Sequence, residues 1–272
     1  IVGGFARVIA WIVGLQLVLP LFGLLALMCT SLLCLLARRV DRLARLSFVA
    51  ALSGLSMLGF TLQAFPIEYP AGDGEPVAMV RPPMDGTIQV GWGGDTVDVN
   101  YHAAHPDQRW AYDLLIPPMF TGSENNADYG CWGTPVVAPT DAQVVIAKDG
   151  SPDATPGVMD MSNLCGNTIG LELETGTYLL LCHLQEDSIL VQEGDTITRG
   201  QTIAKCGNSG HTSEPHLHIH HQRQDPRVFP FGFAEGLRLG FQEVHGPVFP
   251  KGGIEMDGEH ATATGDTIRF AE

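Results

Sequence analysis

The stretch "EPHLHIHH", residues 214–221, packs His216, His218, His220 and His221 into six positions. On a β-strand the side chains of His216, His218 and His220 share one face, with neighbours about 6.6–6.8 Å apart along the backbone. Two imidazoles at that spacing can converge on one metal ion or on a water held beside it. A solvated polar strand shows the same letters, so the histidines need partners from elsewhere in the chain to become a site. His183 ends an apolar run in "LLLCHLQ", where a lone histidine is equally at home as a core or rim residue. Asp113 sits in "QRWAYDLL", a position that also suits a turn or a cap. "NYHAAH" adds His102 and His105 a few positions earlier.

The elements that must position these residues read as strands. "GTIQVGWGG", "TPVVAPTDAQVVIAKDG", "NTIGLELETGTYLLLCHL", "SILVQEGDTITRGQTIAKCGNSG" and "HLHIHH" are β-prone runs broken by Gly, Asp and Pro. Many short strands at such spacing predict an all-β sandwich or barrel over residues 86–225. No long segment of helical period follows residue 67. Residues 68–85, "EYPAGDGEPVAMVRPPMD", are rich in Pro, Gly and charge and read as a linker. The tail, 226–272, contains "LRLGFQEV" and "DTIRF", which predict added strands in a C-terminal extension.

Two uncharged apolar runs dominate the start: Val8 to Ala37 and Leu46 to Ile67. Each exceeds the roughly 20 residues a spanning helix needs, so residues 1–67 predict an α-helical transmembrane hairpin. The connecting "RRVDRLAR" carries four arginines, which keeps such a loop cytoplasmic and places the remainder outside. The chain starts at Ile1 rather than a methionine, and sequence upstream of it is expected. Residues 1–65 carry a net charge of +4 against -15 for the whole chain, which leaves -19 on residues 66–272. A domain so acidic repels phosphate backbones, which excludes nucleic acid as a partner. Cys131, Cys165, Cys182 and Cys206 lie in the outer part, where an oxidising compartment allows up to two disulfides in three possible pairings. A four-thiolate zinc site is the weaker reading, because no C-x-x-C pair is present.

In order, "D…PVVAPTDAQVV…GNTIGLE…YLLLCHL…VQEGDTITRGQTIAKCGNSG…EPHLHIH" resembles the M23 (LytM/lysostaphin-like) zinc metallopeptidases over roughly residues 85–223. The resemblance implies a β-sandwich-like domain with a groove that holds one Zn²⁺. It implies Asp113 and His218 as zinc ligands, and His183 and His216 as catalytic residues flanking the water that zinc activates. Zinc lowers the pKa of such a water. A neutral imidazole can take up its proton and a charged one can stabilise an oxyanion. The implied substrate is a peptide bond of bacterial peptidoglycan. With the hairpin, that makes an endopeptidase anchored in the bacterial plasma membrane and bathed in its extracytoplasmic side.

One position departs from the pattern. The family's first zinc ligand is a histidine four residues before the aspartate, and here that residue is Arg109, a guanidinium that cannot ligate. His221 would point to the opposite strand face from His218, and His220 lies a step beyond His218, away from His216. His105 precedes Pro106, which restricts its backbone. His102 follows the β-prone "VDVNY", and Asn100 is placed to orient its ring. The expected ligand set is therefore His102, Asp113 and His218, with His105 as the rival for the first place. Should neither serve, the alternative is a degenerate module that binds cell-wall peptides or activates another hydrolase without catalysis. The expected disulfides are Cys131–Cys165 and Cys182–Cys206, each pair placed at strand ends beside the presumed groove.

Overall fold

Two units divide the chain, Ile1–Tyr69 and Pro70–Glu272, and every strand below belongs to the second. The computed structural model describes residues 68–70, 72–229, 232–258 and 260–271, together with Leu25, Met28 and Cys29, which are helical. The rest of the expected membrane hairpin lies outside the described residues. No helix among the described residues is long and apolar enough to cross a membrane.

In chain order the strands are β1 (Ala78–Val80), β2 (Thr87–Trp92), β3 (Tyr112–Leu115), β4 (Pro135–Val137), β5 (Ala142–Lys148), β6 (Asn167–Glu172), β7 (Tyr178–Leu184) and β8 (Thr196–Ile197). There follow β9 (Thr202–Lys205), β10 (Leu217–Gln222), β11 (Gly236–Leu237), β12 (Leu239–Phe241), β13 (Val244–His245), β14 (Ile254–Asp257), β15 (His260–Ala263) and β16 (Thr267–Phe270). Ten of them form one sheet among the described residues, in the order β13-β16-β2-β3-β10-β7-β6-β5-β8, with β11 paired to β10. Three two-stranded pieces, β1-β12, β4-β9 and β14-β15, complete the strand set. The expectation of a mostly-β domain holds.

Alternation along the central strands separates two faces. Leu114, Ile169, Leu171, Leu179, Leu181, Leu217 and Ile219 are fully buried and form one apolar cluster with Val136 and Ile203 of the β4-β9 piece and Val80, Leu239 and Phe241 of the β1-β12 piece. Burying each such side chain contributes about 1.5–3 kcal/mol, so this face anchors the fold. The intervening residues, Asp113, Leu180, Cys182, His218 and His220, fall on the other face. The core thus fixes the strands whose alternate positions carry the polar cluster.

Three sequence expectations shift. The segment read as a linker, 68–85, supplies strand β1, and its Val80 and Met84 are buried in the core at 2% and 0% exposure. Its Pro and Gly content sets the turns, while the few apolar letters among them do the packing. Asp113 lies inside β3 rather than in a turn or cap, because Leu114 and Leu115 continue the ladder against β2 and β10. The tail adds the expected strands, with β16 joining the main sheet beside β2, and also the β14-β15 hairpin.

The disulfide pairing is corrected. The bonds are Cys131–Cys206 and Cys165–Cys182, with Cα–Cα distances of 5.7 and 4.9 Å. Strand neighbours dictate them. β4 pairs with β9 so that Pro135 faces Lys205. The ladder runs on through Cys206 N–H to the Thr134 carbonyl and Gly133 N–H to the Cys206 carbonyl, which delivers Cys131 to Cys206. β6 pairs with β7 so that Asn167 faces Leu184, and His183 N–H donates to the Cys165 carbonyl. That places Cys165 beside Cys182. Non-reducing peptide mapping is expected to recover these two linkages. Recovery of Cys131–Cys165 or Cys182–Cys206 would contradict the strand pairing. Each bond stabilises by about 2–4 kcal/mol, with the larger share from the longer loop.

Candidate metal centre

Asp113 and His218 are direct cross-strand partners in the antiparallel β3-β10 pair, so their side chains rise side by side from the sheet. His218 Nδ1 lies 2.9 Å from Asp113 Oδ1. His102 arrives from outside the sheet. It sits in a 3-10 turn, Tyr101–Ala104, capped by Asn100, whose side-chain oxygen accepts from the His102 backbone N–H. His102 Nε2 lies 3.6 Å from Asp113 Oδ2. One ligand atom from each of His102, Asp113 and His218 falls within 4.8 Å of the others, and all three residues are buried. Three close N and O donors, shielded from water, are a set that could hold a metal ion.

The outward nitrogens are committed to acceptors. Asn100 Nδ2 donates to the carbonyls of Gly94 and Ala111. Its Oδ1 is thereby the atom facing His102 Nδ1, at 3.0 Å, and His102 must donate there. The hydrogen sits on Nδ1 and the lone pair on Nε2 points toward Asp113. Burial pushes the His102 imidazole down to about 3, against a smaller opposing pull from Asp113, so the ring is neutral. Asn100 thus orients His102 as its position in the sequence suggested.

His183 and His216 stand beside this group. His183 Nδ1 lies 2.9 Å from the Ser209 carbonyl and His216 Nδ1 2.9 Å from the Glu214 carbonyl. Carbonyls only accept, so both rings keep their Nε2 for the interior. His216 Nε2 is 3.6 Å from Asp113 Oδ1, and the ring centroids of His183 and His216 are 4.8 Å apart. Burial and the neighbouring His216 and His218 hold His183 well below the usual histidine range. Burial also opposes charge on His216, but Asp113 and the Glu214 carbonyl outweigh it and raise its pKa. For Asp113, burial favours the neutral acid, yet the neighbouring His102 and His216, with the hydrogen bond from His216, hold its carboxyl well below the usual range.

The backbone at His183 shows how it was aimed. Cys182 and His183 bulge opposite Thr168, where the β6-β7 register shifts, and His183 takes a φ of +63°. A non-glycine residue there stores roughly 1–3 kcal/mol of strain. The Ser209 carbonyl that holds its ring is itself fixed, since Ser209 Oγ donates to the Leu184 carbonyl and accepts from Asn167 N–H. Gly166 makes room: a Cβ there would lie 2.3 Å from the same Ser209 oxygen. The "GNSG" turn is therefore a bracket for His183.

The other candidates separate cleanly. Arg109 donates to the Asp95 carbonyl and stacks over Trp110, 4.6 Å to the ring centroid. His105 caps the end of the 3-10 turn and is not in the converging group. His221 faces away, bonded to the Arg238 carbonyl and Thr177 Oγ1. His220 was set aside by the sequence reading, but its Nδ1 lies 2.9 Å from His218 Nε2. The period-two spacing that puts it on the site face was the signal for it. Glu214 is a further residue the sequence reading missed. It accepts from Phe120 N–H and so ties the lead-in to β10 to the segment after β3.

Residues 124–230 match the model for peptidase family M23. The resemblance read from the sequence is shown over that segment, which includes His183, His216 and His218; His102, Arg109 and Asp113 precede it. Solved structures with likeness include a zinc-containing peptidase from Vibrio cholerae, 25% identical over 41% of this chain and 26% of that one, TM-score 0.29. The catalytic domain of lysostaphin from Staphylococcus simulans is 23% identical over 52% of this chain and 88% of that one, TM-score 0.31. The catalytic domain of the prophage-encoded M23 protein EnpA from Enterococcus faecalis is 16% identical over 58% and 94%, TM-score 0.37. The chain therefore aligns with about a quarter of the Vibrio cholerae peptidase's length.

For the metal centre, His102→Ala is expected to purify with its zinc content largely lost and His105→Ala with it retained, measured by elemental analysis of the folded protein. Full zinc in His102→Ala with loss in His105→Ala would exchange their roles.

Proposed function

We propose that the protein is a zinc metallopeptidase that hydrolyses peptide bonds of peptidoglycan outside the cytoplasm, tethered to the membrane by residues 1–67. The observation that carries this reading is the convergence of His102, Asp113 and His218 within 4.8 Å, flanked by two further imidazoles with inward-facing nitrogens. His102, Asp113 and His218 would hold the ion. Zinc bound there supplies Lewis acidity toward a water and a carbonyl oxygen.

The chain's own residues supply the proton movements. His183, neutral and clamped by Ser209, presents Nε2 as the acceptor for the proton of an attacking water. His216, whose charged form Asp113 favours, presents Nε2 as a donor to the negative charge that develops on the carbonyl oxygen. Each ring is fixed at its far nitrogen, so neither has to be reordered at the moment of reaction. Burial of Asp113 and the histidines keeps bulk water from screening these charges. The peptidoglycan substrate follows from the family resemblance, and the extracytoplasmic placement from the two apolar runs and the arginine-rich loop between them.

His183→Ala and His216→Ala are each expected to keep zinc and to lose roughly 10²–10⁴ of hydrolytic rate on purified cell-wall material, followed by release of new amino groups. A variant that purifies without metal would instead be a ligand variant. For topology, a reporter that is active only in an oxidising compartment, fused after Glu272, is expected to be active. Activity of a cytoplasm-specific reporter at the same point would reverse the orientation.

A further inference from the structure

We infer that His220 and Gln222 are positioning residues that fix the His218 ring with its Nδ1 lone pair turned toward Asp113, so that the ring meets the metal already in its binding form. The inference rests on the metal reading above, and it concerns residues that reading leaves without a task.

A chain of hydrogen bonds runs from Gln222 through His220 to His218. Gln222 Nε2 lies 2.7 Å from the Gln224 carbonyl. A carbonyl accepts and cannot donate, so the amide end facing it must be the NH₂; turned over, the amide would oppose two oxygens at that distance. Gln224 is held in turn by the Glu235 backbone N–H, which donates to its Oε1 at 2.7 Å. Gln222 therefore offers Oε1 to His220 Nε2, 3.2 Å away, and that nitrogen must carry the hydrogen. A neutral imidazole carries only one. His220 Nδ1 is then bare, and it accepts from His218 Nε2 at 2.9 Å. With its hydrogen on Nε2, His218 has a bare Nδ1, and that atom stands 2.9 Å from Asp113 Oδ1.

Two acceptors that close repel each other unless a cation lies with them. The relay thus sets the polarity of the centre in favour of a cation. Strand geometry makes it possible, since residues 218, 220 and 222 alternate onto one face of β10. Burial makes it binding on the rings: His218, His220 and Gln222 are 3%, 0% and 2% exposed, so water is not available as a substitute partner.

The test measures zinc affinity of the 272-residue chain by competition with a chromogenic chelator, beside its histidine ring tautomers by long-range ¹H–¹⁵N correlation. His220→Phe, which removes the acceptor, is expected to weaken zinc binding by roughly 10–100-fold. His220→Asn puts an amide oxygen where the ring's Nδ1 stood and is expected to stay close to the unaltered affinity. Gln222→Leu leaves His220 free to take either tautomer, so a smaller loss with a mixed His220 signal is expected. In the unaltered protein His220 should carry its hydrogen on Nε2, with or without zinc. Unchanged affinity in folded His220→Phe, a His220 hydrogen on Nδ1, or an unmoved affinity and tautomer in Gln222→Leu would each overturn the relay. Absence of any zinc affinity in the unaltered chain would overturn the metal centre itself, a separate result, because the His220 tautomer is read without metal.

Discussion

The structure turns on one carboxylate. Asp113 is 4% exposed, and an ionised group so placed costs several kcal/mol unless it is compensated. Among the described residues three imidazoles surround it: His218 across the strand pair, His102 from the 3-10 turn and His216 from the lead-in to β10, the ring whose charged form the carboxylate favours. His102 comes from a part of the sequence remote from His216 and His218, and the rings are locked from behind by acceptors. Asn100 locks His102 and the Glu214 carbonyl locks His216. His216 makes the buried charge tolerable, while the His102 lone pair faces inward beside it.

The fold serves that arrangement by division of labour between two faces of one sheet. Leucines and isoleucines at alternate positions of β3, β6, β7 and β10 set the strand register, because a slip by one residue would send Leu217 and Ile219 to the polar side and the histidines into the core. The two disulfides then pin the loops that run up to the site. Cys165–Cys182 sits next to His218 in the β7-β10 pairing, so the segment before β6 is tied to the wall of the centre rather than left to move over it.

What the sequence made legible follows the range of the interaction involved. Period-two alternation is local, so "HLHIHH" as a strand with one histidine face could be read directly, as could the β runs on either side. The preference for His102 over His105 was also readable, from "VDVNY" before it and Asn100 beside it. Long-range pairing was not. The disulfide partners depend on β4 lying against β9 and β6 against β7, and nothing in the spacing of Cys131, Cys165, Cys182 and Cys206 reports those neighbours. Val80 and Met84 were hidden in a run whose Pro and Gly content described its turns but not its packing. The role of His220 gave no such signal, because its contact is with the outer nitrogen of His218 rather than with Asp113.

The left-handed backbone of His183 has a consequence for how such a domain could drift. At a φ of +63° stability alone favours glycine, which adopts that conformation without the steric penalty of a side chain. A histidine there is a standing cost set by the bulge and unrelated to what the ring does. Replacement by glycine would relieve that strain but leave the Ser209 carbonyl without the ring's hydrogen bond and empty the buried space the ring fills. Backbone strain alone thus pushes this position toward glycine, and the clamp from Ser209 is what holds a ring there against it.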